Sequence, residues 1–333
     1  MIRRLVYLAQ LGRVGMAPVT ISVPILGAFT LGAPLTSLEI FGLGGIGLCA
    51  HLFGFALNDL IDQPLDRTVP IRQGHPLVSG RLSQLEVWVF TLIQVPLALG
   101  VYYFTGGHGA GLGILCLSVG LSAVYNLGSK RGPLPRFLAE AALAISVGLL
   151  CSSGALLKSA QLLPSSIAFS LTLTLVLLLL NSVPSGLKDL KTDSAYGAVS
   201  FVQTVGSRML DADRMFISRE LRLYSAILQG AISIGLLYLL ALLHPGWLVG
   251  VLTCILALYA ALHLRLILSL RSFTALRRSL PLLNGYYNYA ALALVVIIPM
   301  PLMLKALYAL LVLALLLIPW QLSWRMWRNR HRT

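Results

Sequence analysis

Apolar runs of roughly 18 to 25 residues recur from one end of this chain to the other, the length an α-helix needs to cross a bilayer. No other feature narrows the fold so far. Inside lipid every backbone N–H and C=O must be satisfied within the protein, which leaves closed barrels or helices. Continuous apolar stretches of this length predict helices. Composition agrees: the 333 residues are 57% hydrophobic and only 11% charged, where soluble domains carry about 25% charged residues. The expected fold class is all-α and polytopic, one transmembrane domain over residues 1–333.

Ten apolar segments are expected, near 15–33, 38–58, 84–104, 109–127, 136–157, 163–187, 220–243, 246–268, 284–299 and 302–320. Pro, Gly or charge clusters separate them, among them Pro34, Gly106-Gly107, Pro164, Pro245 and Pro299-Met300-Pro301. The basic MIRRLVYLAQ reads as an amphipathic lead-in to the first span, with no small-residue cleavage site after it. If this lead-in is cytoplasmic, then of 25 Lys and Arg only Lys158 and Lys305 fall on the outer side. That asymmetry predicts cytoplasmic termini and an even span count. It also accounts for the net charge of +14 through topology, so no nucleic-acid partner is expected. Cys49, Cys116, Cys151 and Cys254 lie singly within apolar runs and read as packing residues.

Two inner loops are long and polar, 59–83 and 188–219, and each opens on carboxylates. In ALNDLIDQPLDR, Asn58, Asp62 and Asp66 stand four apart, so a helix continuing beyond the second span carries them on one stripe. Asp59 lies off that stripe. In SGLKDLKTDSAYG, Asp189 and Asp193 repeat the spacing after the sixth span. An offset of four spans gives both clusters the same sidedness. Together they hold five of only 11 acidic residues. So many carboxylates in a partly dehydrated place repel one another unless a cation intervenes. Mg²⁺ fits, since it takes oxygen ligands and is usually held by one or two carboxylates plus substrate phosphates. Arg67, Arg72, Lys130, Arg131, Lys188 and Lys191 lie on the same side as phosphate partners. The plainer alternative is that these Asp residues are solvated loop charges balancing adjacent Arg and Lys.

Taken together, N-x-x-x-D-x-x-x-D after the second span and D-x-x-x-D-x-x-x-G after the sixth resemble the paired motifs of the UbiA-type intramembrane prenyltransferases. HPLVSGRLS at 75–83 is similar to that family's R-P-L-x-S-G loop, YNLGSKR at 125–131 to its tyrosine-then-lysine signature, and GAVSFVQTVG at 197–206 to its run ending in Gly. The resemblance covers residues 50 to 206. It implies a ring of about nine to ten transmembrane helices around a central cavity with a cytoplasmic loop cap. It also implies Mg²⁺ bridging an isoprenyl diphosphate to Asn58, Asp62 and Asp66 on one side and to Asp189 and Asp193 on the other. Ionisation would give an allylic cation for capture by a lipophilic, aromatic acceptor. By matching position, Tyr125 and Lys130 would lie near the diphosphate or the cation, and charge adds Arg72, Lys188 and Arg13. The membrane implied is a bacterial cell membrane.

Three features depart from the family pattern: ten expected spans where nine are usual, His75 in place of Arg, and a Tyr125–Lys130 gap one residue longer than the commonest. The first motif also lacks the Gly-x-Asp ending of the menaquinone-type branch. Two other functions stay open: a UbiA-type terpene cyclase that quenches the cation internally, and a transporter using the acidic pairs as a cation site. Elsewhere, His51 is expected to be a satisfied polar residue between helices, Glu140 a helix-surface partner of Arg136, and Tyr286, Tyr287 and Tyr289 an interfacial belt. Asp211 and Asp213 are expected to be solvated.

Overall fold

A computed structural model describes residues 2–128, 134–243, 247–283 and 286–297. Lys130, Arg131, Lys305 and the expected tenth span at 302–320 lie outside the described residues. The chain is helical nearly throughout: α1 (Ile2–Leu11), α2 (Ala17–Phe29), α3 (Ser37–Asp66), α4 (Gln84–Phe104), α5 (Gly109–Leu127), α6 (Arg136–Lys158) and α7 (Pro164–Leu180) come first. A one-turn π-helical segment at Asn181–Ser185 leads into α8 (Gly186–Tyr196). There follow α9 (Phe201–Thr204), a β1–β2 ribbon (Arg208–Met209 and Met215–Phe216), α10 (Arg219–Leu243), α11 (Trp247–Ser269), α12 (Phe273–Leu283) and α13 (Tyr286–Ile297).

Among the described residues six helices are long and apolar enough to cross a membrane: α3, α4, α5, α6, the continuous α7–α8 unit and α10. A seventh span arises if α1 and α2, bent by 50° at their junction, count together, while Thr253–Ser269 and Tyr287–Ile297 are shorter apolar helices. The protein is an integral, multi-pass membrane protein.

Local chemistry sets the helix starts. Before α3, the Thr36 hydroxyl accepts from the Glu39 N–H while Glu39 accepts from the Thr36 N–H at 2.7 Å. Ser83 and Glu86 repeat this reciprocal cap before α4. Glu39 also bonds Lys158 at 2.7 Å, joining the start of α3 to the end of α6. At about 1.5 Å per residue the 30 residues of α3 are longer than a ~30 Å hydrocarbon core needs, and the acidic residues fall in its last turns.

The packing closes the helices on themselves. α2 packs on α3 and α6, α5 on α3 and α6, α6 on α7, and α7 on α10. α13 then returns to α7 and α2, where the Tyr289 hydroxyl donates to the Val19 carbonyl at 3.1 Å and bonds Ser22. Tyr289 is therefore buried, correcting its expected place in an interfacial belt. The α2–α6 crossing depends on missing side chains. A Cβ on Gly27 would come within 1.9 Å of the Cys151 carbonyl oxygen, and one on Gly154 within 1.9 Å of the Pro24 carbonyl oxygen. Close approach of small residues is how helices attract each other where lipid removes the hydrophobic driving force.

The long polar loops have more structure than their polarity suggests. β1 and β2 pair antiparallel, and Arg214 bridges to Ser272. Asp213 accepts from the Thr274 N–H and hydroxyl at 2.8 and 2.7 Å, and its carbonyl accepts from the Phe273 N–H. Thus the loop after α8 and the segment after α11 form one cap on the face bearing the acidic motifs.

Candidate active site

The end of α3 separates its four polar residues by role. Asn58 Nδ2 donates to Asp62 Oδ2 at 3.2 Å, as their four-residue spacing predicts. Asp66 is buried, with Arg72 Nε 3.7 Å from its Oδ1. Asp59 faces the other way, into the protein. Its buried carboxylate accepts from Arg13 Nη2 at 3.0 Å on one oxygen, and His75 Nε2 stands 3.2 Å from the other, within ion-pair distance. Arg13 also lies 4.7 Å from the Phe55 ring centroid. Arg13, expected beside the diphosphate, here pairs with Asp59, and together with His75 it forms an internal anchor. The anchor ties the α1–α2 junction and the 75–83 loop to the same turn of α3 that carries the Asn58–Asp62 pair. Arg13 itself has φ 45°, a left-handed conformation uncommon for a non-glycine residue, at the 50° bend between α1 and α2.

The second acidic motif lies on α8. Asp189 is half-buried with Lys188 Nζ 3.8 Å away, and Asp193 is buried. Gly197 ends the helix in the left-handed region (φ 68°), and its N–H and that of Ala198 bond to the Asp193 carbonyl. Only glycine enters that conformation without strain, which explains the Gly four residues beyond Asp193. Lys191, counted in sequence as a possible phosphate partner, donates to the Ala212 carbonyl at 3.0 Å.

Between the two motifs stands a polar cluster that the spacing of acidic residues did not reveal. Pro184 offers no backbone N–H, and the helix register around it widens into the π turn. Asn181, first residue of that turn, donates to Glu140 at 2.6 Å and lies 3.5 Å from the Tyr125 hydroxyl. Glu140 is buried and also bonds Arg136 at 2.8 Å, while Arg136 donates to the Gly128 carbonyl at 3.1 Å. The Arg136 pairing was expected, but on a helix surface; it is internal. Through Asn181, Tyr125 on α5 is joined to the end of α7 and to Glu140 on α6. A carboxylate among the apolar residues of the first two turns of α6 is the signal for an internal rather than a surface place for Glu140. His51 is satisfied between helices, as expected, by Thr20 at 3.0 Å.

Among the described residues no three His, Cys, Asp or Glu side chains converge into a ready-made metal cage. The donor set is nevertheless hard oxygen throughout: the Asn58 amide and Asp62 and Asp66 on α3, with Asp189 and Asp193 on α8. Such a set suits Mg²⁺ completed by phosphate oxygens rather than an all-protein cage. Two of these carboxylates, Asp66 and Asp193, are nine-tenths or more buried, where a cation offsets the desolvation of negative charge.

Residues 16–272 match the UbiA prenyltransferase family. The chain belongs to that family. Within it, a polyprenyl transferase of Aspergillus fumigatus, spyF, is 26% identical over 215 residues, 63% of this chain. The match spans 56% of that relative's length. Among solved structures, a UbiA homologue from Aeropyrum pernix K1 in its apo form superposes with a TM-score of 0.63 at 16% identity, over 86% of this chain and 98% of the other. A UbiA homologue from Archaeoglobus fulgidus bound to DMAPP and Mg²⁺ gives 0.59 at 16% identity, over 86% and 99%. At these identities the likeness is one of fold, and it makes the helical ring of the UbiA family the architecture here. The matched region contains both acidic motifs and the Tyr125 cluster, and stops before α12 and the closing helix α13.

Proposed function

We propose that this UbiA-family protein transfers an isoprenyl group from an isoprenyl diphosphate to a lipophilic, aromatic acceptor and releases diphosphate, with Mg²⁺ as cofactor. The observation that carries this reading is the pair of oxygen-donor motifs at the C-terminal end of α3 and on α8, which ends the continuous α7–α8 unit. It is supported by the Archaeoglobus fulgidus homologue, which holds DMAPP or GPP together with Mg²⁺. Asn58, Asp62, Asp66, Asp189 and Asp193 would hold the metal. Bound there, the cation would neutralise the diphosphate and make it a better leaving group.

The chain's own residues prepare the rest. Arg72 and Lys188, both partly exposed beside the carboxylates, donate to diphosphate oxygens and stabilise the charge that grows as the allylic C–O bond breaks. Lys130 is assigned the same role from its place in the motif. The bonding pair leaves with the diphosphate, an aromatic carbon of the acceptor supplies the electrons for the new C–C bond, and the ring then loses a proton. Tyr125, positioned through Asn181 and Glu140, offers an aromatic π face to the allylic cation. Asp59, Arg13 and His75 position α3 without touching substrate. The active site is oriented to the cytoplasm in this reading, following the Lys and Arg asymmetry.

The test is a matrix of donor chain lengths against phenolic acceptors in purified protein, with product mass spectrometry, a chelator arm and a no-acceptor control. Acceptor-dependent diphosphate release, abolished by EDTA and restored by Mg²⁺, is the expected result. Diphosphate release without acceptor, together with a cyclic product, would establish cyclisation instead. No release from any donor would end the proposal.

A further inference from the structure

A second site lies outside the acidic centre, between the starts of α10 and β2 and the end of α11. It is a cleft of ≈ 600 Å³ lined by Arg219, Arg222 and Arg271 at its polar end, with Leu223, Leu264 and Leu268 along its wall. Leu223, Leu264 and Leu268 are 58%, 38% and 46% exposed, on the apolar helices α10 and α11. A neighbouring cleft shares Leu264 and Leu268 and adds Arg265.

The charge here is uncompensated. Arg222 and Arg271 lie within mutual electrostatic reach, and among the described residues Arg219, Arg222 and Arg271 have no carboxylate within ion-pair distance. Arg222 Nε is sealed from solvent without a hydrogen-bond partner among those residues. Arg271 spends donors only on the carbonyls of Leu268 and Leu270. Nearby acids are engaged elsewhere: Asp211 with Arg214, Asp213 with Thr274. Glu220 does not line the cleft. A buried N–H without a partner and adjacent like charges are both costly, and an anion relieves both.

We propose that this cleft binds one anionic bilayer phospholipid, its phosphate on Arg219, Arg222 and Arg271 and an acyl chain along Leu223, Leu264 and Leu268. Guanidinium groups recognise phosphate through paired N–H donors. A free phosphate would leave the leucine wall uncovered, and a zwitterionic headgroup would bring a cation against three others. The position fits too, because the start of α10 and the end of α11 adjoin the β1–β2 ribbon of the loop cap, where the Met215 N–H bonds the Arg271 carbonyl at 3.0 Å. The site stands independently of the proposed transfer reaction.

Native mass spectrometry of the full chain tests it, after reconstitution with equal amounts of phosphatidylglycerol and phosphatidylcholine of identical acyl chains. One retained phosphatidylglycerol is expected, with phosphatidylcholine retained far less. Each arginine replaced is expected to weaken retention about fivefold, from roughly 1 kcal/mol per basic residue near an anionic surface. Arg222→Gln is the direct variant, and the exposed pair Arg219→Gln with Arg271→Gln carries the test should the first misfold. Equal retention of the two lipids, or retention unchanged by the substitutions, would overturn the proposal. So would displacement by inorganic phosphate, which would mark a plain anion site, or by geranyl diphosphate at equal concentration, which would mark a donor site.

Discussion

Asp59 and Asp62 stand less than one helical turn apart, yet replacing each by Asn is expected to fail in a different way. Asp59 is 2% exposed and holds Arg13 at 3.0 Å and His75 at 3.2 Å. Removing one member of a buried ion pair costs about 3–5 kcal/mol. The Arg13 side chain is 31% exposed, so water recovers part of that loss and about 2 kcal/mol is the working figure. For a chain of this size that corresponds to a fall of about 3 °C in the apparent Tm. Asp62 is half-buried and bonded at 3.2 Å to the Asn58 amide, a contact an amide at position 62 can keep. Asp62→Asn is therefore expected to melt within about 1 kcal/mol of the parent while losing on the order of 10²-fold in diphosphate release, as when one transition-state stabilising group is removed. Thermal melts of both variants in one detergent, alongside diphosphate release under saturating Mg²⁺, separate the two effects. The reasoning is refuted if Asp59→Asn melts like the parent but is inactive, since Asp59 would then belong to the working stripe. It is equally refuted if Asp62→Asn keeps full activity.

Three further outcomes follow from the packing and the loop cap. Gly154→Ala puts a methyl group 1.9 Å from the Pro24 carbonyl oxygen and should cost about 2–3 kcal/mol; an unchanged melting temperature would mean that α2 and α6 separate freely. For the buried Arg136–Glu140 pair, Glu140→Met should cost about 3–5 kcal/mol, whereas adding Arg136→Met should recover part of it, giving a coupling of about 1–3 kcal/mol against the two single changes. Additive losses in chemical denaturation would deny the pair. Asp213 is held below the usual carboxylate range by the hydroxyl and N–H of Thr274. A depressed folded-state value means its tie to α12 is fully present above the unfolded value of 3.8 and is lost as pH falls through the folded value. Hydrogen exchange of the Thr274 amide should accordingly stay slow at pH 5 and accelerate only below about pH 3.8, and Asp213→Ala should abolish the protection at every pH.

Much of the helical frame was legible in the chain because the bilayer is an unforgiving solvent. The apolar stretches at 84–104, 109–127 and 136–157 coincide with α4, α5 and α6 to within a residue. The continuation of the second span to Asp66 was legible as well, since three polar groups four apart make sense only on a helix. Less visible was what the tertiary structure joins across long separations. The Asp59 anchor needs residues 46 positions apart to meet, and Asn181 reaches Glu140 only through the π turn at Pro184.

The sequence by itself thus determined that the chain crosses a membrane many times, that its polar chemistry gathers on one face, and that two carboxylate motifs lie at equivalent helix ends. Those properties follow from local hydropathy and from helical period, which each segment carries alone. Only the tertiary structure decided that Asp59 pairs with Arg13, that Glu140 is internal, and that, among the described residues, three arginines share an apolar cleft whose lining holds no carboxylate. The physical reason is that a charge's role depends on which groups desolvate and face it, and those partners come from other helices.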